Sequence, residues 1–190
     1  MKRRITHLSL LAVFLLSPCA WARTEAEVVA KVIAVIDGDT LLLMPIDSKR
    51  GHPRIYKLRL ADIDAPEKDQ PFGEEAKREL AKLVLHQQIY VVMVATDHYG
   101  RRIGWVRVAR TPRLDINVNV ELVQRGWAWA FTRYRRHPHL QAAQQAALHS
   151  RRGLWAEERP VPPWVWRKRF AHTEFNPASA STPLPSPLRD

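Results

Sequence analysis

Hydrophobic and polar positions along the chain follow two different periods. Val28 to Ile36 is dense in Val and Ile. Thr40 to Met44 follows the tight-turn signal Asp37-Gly38-Asp39, and Arg54 to Ile63 alternates after the turn signal Lys49-Arg50-Gly51-His52-Pro53. These stretches predict three strands. The period then lengthens. Ala76, Leu80, Leu83 and Val84 recur at helical spacing, with Glu74, Glu75, Lys77, Arg78, Glu79 and Lys82 on the other faces, which predicts an amphipathic helix. Ile89 to Ala95 and Ile103 to Val108 read as strands flanking Asp97-His98-Tyr99-Gly100-Arg101. A helix near Asn119 to Arg125 is ended by Gly126, and a last one over about Leu140 to Arg152 is ended by Gly153. The order β-β-β-α-β-β-α-α contains no repeat. It predicts an α+β fold, a five-stranded barrel capped by about three helices.

The two ends fall outside this pattern. Lys2, Arg3 and Arg4 precede the apolar run Leu8 to Leu16 and then Ala20-Trp21-Ala22. That is the layout of a signal peptide over residues 1–22, too short in its apolar part to span a membrane. A lipoprotein signal ending at Cys19 fits less well, because Pro18 stands where a small residue is wanted. The mature protein is therefore expected in the periplasm or the medium, without stable membrane insertion. With Cys19 inside the leader, it has neither a disulfide nor thiol chemistry. The barrel and its helices occupy residues 23–158. The remainder, 159–190, opens on Pro160, Pro162 and Pro163 and turns to Pro, Ser and Ala beyond Phe170, the composition of a largely disordered extension.

Charge narrows the class of partner. The 190 residues include 30 Lys and Arg against 19 Asp and Glu, a net charge of +11. Removing the leader takes away three basic residues and no acidic ones, leaving 27 against 19, or +8. A polyanion is implied: nucleic acid, anionic membrane or acidic glycan.

Two acidic turns and two arginines are the candidates for chemistry. Asp37-Gly38-Asp39-Thr40 lies between strands, and Asp64-Ala65-Pro66-Glu67 ends the third. Carboxylates from separate turns with a backbone carbonyl nearby suit a hard divalent cation, although each turn alone is also ordinary turn chemistry. No Cys or paired-His spacing suggests zinc, and His137-Pro138-His139 reads as a solvated loop. Arg59 and Arg101 carry planar guanidinium groups that can hold a phosphate through two parallel hydrogen bonds. Strict alternation sets Arg59 and Asp64 on opposite faces, so the strand must bulge or end near Asp62 for both to serve one site. Trp127, Trp129 and Phe131 either stack on bases or, more simply, pack against the barrel.

Asp37-Gly38-Asp39-Thr40, Arg59-Leu60 with Ile63-Asp64-Ala65-Pro66-Glu67, Pro71-Phe72-Gly73 and Asp97-His98-Tyr99-Gly100-Arg101 occur in order. Together with Asn119, Leu122-Val123, Gly126 and Gly153-Leu154-Trp155, they resemble the staphylococcal nuclease (thermonuclease) family over residues 28–156. Pro162-Pro163-Trp164 with Trp166-Arg167 resembles the C-terminal extension of bacterial members. The resemblance implies an OB-fold and a calcium-dependent endonuclease acting on DNA and RNA as a monomer, with flexible or single-stranded substrates preferred. By position, Asp39, Asp64 and the carbonyl of Ala65 match the Ca2+ ligands. Thr40 matches a site threonine, and Tyr99 a nucleotide-pocket residue. Glu67 matches the base that activates water, and Arg59 and Arg101 the phosphate-binding arginines. Asp62 departs from the pattern, standing where the family usually has an uncharged residue. Gln144 and Gln145 stand where relatives often carry Glu. The main alternative is a non-catalytic OB-fold nucleic-acid binder of the cell envelope. A basic envelope protein that binds lipid or glycan is a third reading. It leaves the carboxylates and arginines unexplained.

Overall fold

The computed structural model describes residues 27–46, 54–111, 114–131 and 137–171. The expected leader, the turn 49–53 and the tail from 172 lie outside these residues. Among the described residues, eight strands and four helices follow one another: β1 Glu27–Val35, β2 Thr40–Pro45, β3 Tyr56–Leu60, β4 Ile63–Asp64, α1 Gly73–Val84, β5 Gln88–Thr96, β6 Arg102–Thr111, β7 Leu114–Asn117, α2 Val118–Gln124, β8 Trp129–Ala130, α3 Pro138–His149 and α4 Pro163–Ala171. A 3-10 turn, Gly153–Ala156, precedes α4.

The barrel closes through β6. Strands run in the order β3-β2-β1-β5-β6, and β3 returns to pair in parallel with β6, Arg59 opposite Ile103. Five strands thus form a closed ring, as the pattern of periods predicts. Beyond the stretch that pairs with β3, β6 pairs with β7, Arg107 opposite Asn117. β7 was not foreseen, because its burial does not alternate. The interior is filled by Val32, Leu41, Leu43, Leu58, Leu60, Ile89, Val91, Val106 and Val108. These are the alternate positions of their strands. α1 closes the barrel with Ala76, Leu80, Leu83 and Val84, all buried. Fully burying each large aliphatic side chain contributes about 1.5–3 kcal/mol. Glu74 and Glu75 in its first turn complement the helix dipole.

The segment read as one strand from Arg54 to Ile63 is two. β3 stops at Leu60, and Asp62 takes a left-handed backbone with φ 56° before β4 begins. This break resolves the parity conflict, since a turn inserted between Arg59 and Asp64 lets both face one site. Buried Asn119 holds the turn in place. Its Nδ2 donates to the carbonyl of Ala61 at 2.9 Å, and its Oδ1 accepts from Val106 N at 3.0 Å.

The fold also runs past residue 158. α4 packs back on the domain, with Pro163 buried and the Trp164 ring 5.6 Å from Trp129 and 5.8 Å from Phe131. Trp127 packs against the core and Trp129 stands edge-on to Trp155 at 4.3 Å, so these rings serve packing. Among the described residues, no helix is long and apolar enough to cross a membrane.

Candidate active site

Two turns converge because a glycine lies between them. A Cβ on Gly38 would stand 2.6 Å from the Ala65 Cβ and 2.9 Å from the Ala76 Cβ. The Asp37-Gly38-Asp39 turn thus presses against both the Ala65 turn and α1, a closeness only glycine allows. Asp37 shapes its turn by accepting from Asp39 N at 3.0 Å. Asp39 then reaches across and accepts from Ala65 N at 3.1 Å through Oδ2. Its Oδ1 accepts from the Thr40 hydroxyl at 3.0 Å.

Arg59 joins the two carboxylates. It donates from Nη1 to Asp39 Oδ1 at 2.9 Å and from Nη2 to Asp64 Oδ1 at 2.6 Å. The side chains of Asp39 and Asp64 are 5% and 1% exposed, so this is charge held out of water. Burial pushes the Asp39 carboxyl up to about 7. The guanidinium of Arg59 pulls against that shift, and the negative charges of Asp37 and Asp64 add to it. Burial opposes the charge on Arg59, but Asp39 and Asp64 more than offset it and raise its pKa.

Glu67 belongs to the same cluster through a residue that sequence reasoning gave no role. Arg167 of α4 donates from Nη1 to Glu67 Oε1 at 2.5 Å and to Asp64 Oδ1 at 3.2 Å. From Nη2 it donates to Asp64 Oδ2 at 2.7 Å. The only sequence signal was its place in the Trp166-Arg167 pair of the extension. Gln70, nearly fully buried, supports both partners. Its Oε1 accepts from Glu67 N at 3.2 Å, and its Nε2 donates to the carbonyl of Val161, just before α4, at 2.6 Å.

Asp39, Thr40, Arg59, Asp64, Ala65 and Glu67 are therefore brought together. Tyr99 and Arg101 form a cluster of their own on the β5–β6 turn. Arg101 donates from Nε to Asp97 Oδ2 at 2.7 Å and lies 5.5 Å from the centre of the exposed Tyr99 ring. Hydrogen bonds from Arg101 hold the Asp97 carboxyl below its ordinary value, against the cost of desolvation. Because β6 starts at Arg102 and its Ile103 pairs with Arg59, this turn sits at the end of the barrel nearest the carboxylates. A cavity of about 520 Å3 adjoins it, lined in part by Arg59, Asp62, Ile103, Trp105, Phe131 and His137.

Asp62 and the two glutamines can now be located. Asp62 turns away from Asp64 toward His137, whose Nε2 lies 3.6 Å from its Oδ2. His137 is no solvated loop residue. It precedes α3, is half-buried and lies against Trp105 with tilted rings 4.7 Å apart, while Pro138 and His139 are exposed. Gln144 accepts from Ala130 N at 2.8 Å, a bond that needs an acceptor but no charge, and Gln145 is exposed.

The donor chemistry fits a hard divalent cation. Asp39 and Asp64 offer oxygen acceptors alone, are nearly fully buried, and are close enough to share one guanidinium. Among the described residues no three Asp, Glu, His or Cys side chains form a complete metal cage. A cation here would thus rely on these two carboxylates, the neighbouring main chain and water.

The family pattern described as staphylococcal nuclease homologue matches residues 57–157. The chain is 38% identical to Protein ParB of Escherichia coli over 178 residues, covering 88% of this chain and 95% of the relative. An uncharacterized endonuclease of Escherichia coli O157:H7 is 36% identical over 150 residues, 79% of this chain and 92% of its own. A micrococcal nuclease of Shigella flexneri is 33% identical over 162 residues, 82% and 87%. The matched span includes Arg59, Asp64, Glu67 and Arg101, and the relatives align along nearly their whole length. By sequence and by its closed barrel alike, the chain belongs to the staphylococcal nuclease family and is a nuclease.

Proposed function

We propose that the protein is an exported, calcium-dependent endonuclease that hydrolyses phosphodiester bonds in DNA and RNA as a monomer. One observation carries this reading. Arg59 gathers Asp39 and Asp64, two buried carboxylates, while Glu67 shares a guanidinium with Asp64. A general base, a phosphate-binding cation and a pair of hard oxygen ligands thus lie side by side. Export is read from Lys2, Arg3 and Arg4, the apolar run and Ala20-Trp21-Ala22.

Asp39, Asp64 and the Ala65 carbonyl would hold the ion, with Thr40 orienting Asp39 through its hydroxyl. A calcium ion held there would supply positive charge that offsets the charge developing on the phosphate. Glu67 accepts a proton from water, and the water oxygen attacks phosphorus in line. The new P–O bond forms as the bond to the 5′ oxygen breaks. The leaving oxygen takes a proton from solvent, and a 3′-phosphate end remains. Arg59 stabilises the extra charge on the phosphoryl oxygens. Arg101 contributes after turning from Asp97 toward the substrate. Nothing in this chemistry uses a 2′-hydroxyl, so both sugars are accepted. A small barrel on a chain of net charge +8 favours flexible or single strands.

Activity on single-stranded DNA with calcium and with excess chelator tests the proposal, with Glu67→Gln beside the wild type. Glu67→Gln should lower kcat by on the order of 10² or more with little change in substrate binding. Full wild-type activity in chelator rejects calcium. Full kcat in Glu67→Gln removes Glu67 from the chemistry.

A further inference from the structure

Arg167 bridges Asp64 and Glu67. Asp64 receives three N–H donors, one from Arg59 and two from Arg167, and Arg167 spans from Asp64 to Glu67. The two arginines are not equivalent. The Arg59 side chain is 22% exposed and also holds Asp39, whereas the Arg167 side chain is 43% exposed and reaches Glu67 instead. Both guanidinium groups bear on one carboxylate, Asp64, at 2.6 and 2.7 Å. The carboxylates nonetheless hold Arg167 firmly. It makes three hydrogen bonds to Asp64 and Glu67, at 2.5, 2.7 and 3.2 Å.

The helix that carries Arg167 is anchored independently of this contact. Val161 accepts from Gln70, Pro163 is buried, and the Trp164 ring sits against Trp129 and Phe131. The Arg167 side chain can therefore leave the carboxylates while its backbone stays at the rim of the site. A divalent cation at Asp64 competes with Arg167 for the same acceptor atoms. Calcium binds carboxylate oxygens at roughly 2.3–2.6 Å, and of the roughly four lone-pair sites on Asp64 two accept from Arg167 and one from Arg59. With Arg167 in place, the cation would be a third positive group on one carboxylate.

We propose that Arg167 is a positioning residue, an internal counter-cation. It neutralises Asp64 and Glu67 when no cation is bound, and it competes with the divalent cation for them. The cation affinity of the enzyme is then set partly by α4, in the C-terminal extension. This inference rests on the calcium reading of the site.

The test uses the full mature chain, titrated with Ca2+ alone by calorimetry, with melting temperature followed in chelator and at saturating calcium. The set is wild type, Asp39→Ala, Arg167→Gln, Arg167→Lys and, as a control on the exposed part of α4, Lys168→Gln. Arg167→Gln should bind calcium tighter than wild type by on the order of tenfold, since a charge-assisted competitor is gone. Arg167→Lys, which keeps the charge but loses the fork, should fall between the two. Lys168→Gln should match wild type. In chelator Arg167→Gln should melt below wild type, and calcium should close the gap. Equal or weaker calcium binding in Arg167→Gln overturns the inference. If that variant does not fold in chelator, an Arg167→Lys affinity equal to wild type overturns it. Calcium binding that Asp39→Ala abolishes, together with an unchanged Arg167→Gln, sinks only the counter-cation. No calcium binding by the wild type sinks the calcium reading and this inference together.

Discussion

Gly73 lies so close under Glu67 that a Cβ on it would stand 1.9 Å from the Glu67 carbonyl oxygen. The contact follows from a tight chain of turns. Gln70 N donates to the Glu67 carbonyl at 3.0 Å and Gly73 N to the Gln70 carbonyl at 2.9 Å, so α1 starts directly beneath the residue expected to act on water. Gly73→Ala must push the Glu67 segment outward. The strain should cost about 1–3 kcal/mol of stability. Because a displacement near 1 Å can cost about 10²-fold in rate, kcat should fall at least tenfold while substrate binding changes little. Steady-state kinetics beside thermal melting check this. A variant with lower melting temperature but full kcat would mean that Glu67 tolerates the shift.

Asp39 should make the cation-free protein sensitive to pH near neutrality. Burial raises its pKa from 3.8 to about 7, so the folded state binds the proton more tightly than the unfolded chain does. The corresponding stability is full below the unfolded value and is lost as pH rises through about 7. In chelator the free energy of unfolding should therefore fall between pH 4 and 7. Asp39→Asn, which cannot ionise, should flatten that fall. Calcium, which needs the ionised carboxylate, should oppose it. Denaturant titrations across that range, with and without calcium, measure all three.

Much of the site was legible because its parts announce themselves locally. Asp-Gly-Asp is a turn signal, Asp64 to Glu67 follows a strand, and Arg59 alternates with the core residues Leu58 and Leu60. The parity conflict between Arg59 and Asp64 even located the break at Asp62. What stayed hidden depends on tertiary closure. β7 has no alternating pattern, since its partner on β6 rather than its own burial defines it. Arg167 lies among prolines and basic residues that resemble a solvated tail. The packing of Trp164, the burial of Pro163 and the Gln70 to Val161 bond bring it back to Asp64, 103 residues away in sequence. The half-burial of His137 is hidden for the same reason, as Trp105 against its ring and its neighbour Asp62 lie on distant strands and turns.

Arg101 and Arg59 should fail differently when replaced by lysine. Arg59 holds Asp39 and Asp64 with both arms of its fork, so Arg59→Lys should lower stability as well as kcat. Arg101 touches only its own turn, through Asp97. Arg101→Lys should leave the melting temperature nearly unchanged and reduce turnover more than binding. Equal losses of stability in both variants would contradict the separation of the two clusters.

Substrate binding should weaken steeply with salt. The mature chain carries +8, and each phosphate neutralised releases condensed counterion, giving a slope of about −0.7 per contact on a single strand. Affinity for a short single-stranded DNA, measured in chelator with Glu67→Gln to suppress cleavage, should fall linearly on a log–log plot. A flat plot would count against a nucleic-acid substrate.

Shortening the chain at two points separates the roles of the C-terminal extension. Ending it after Ala171 keeps α4 and removes a segment rich in Pro and Ser that holds no candidate site residue, so stability and kcat should match the full chain. Ending it after Glu158 removes Val161, Trp164 and Arg167 together. Gln70 then loses the acceptor of its Nε2, Trp129 and Phe131 lose the Trp164 ring, and Asp64 and Glu67 lose a cation. Contacts of Trp164 with Trp129 and Phe131 contribute about 0.5–1.5 kcal/mol each, so this shorter chain should lose at least about 1–3 kcal/mol. The loss should be larger in chelator than in calcium, because only the cation-free site needs Arg167 to neutralise it. Denaturant unfolding of the three chains under both conditions tests this. If the chain ending at Glu158 proves as stable in chelator as the full protein, α4 is not anchored as the ring contacts and the Gln70 bond indicate.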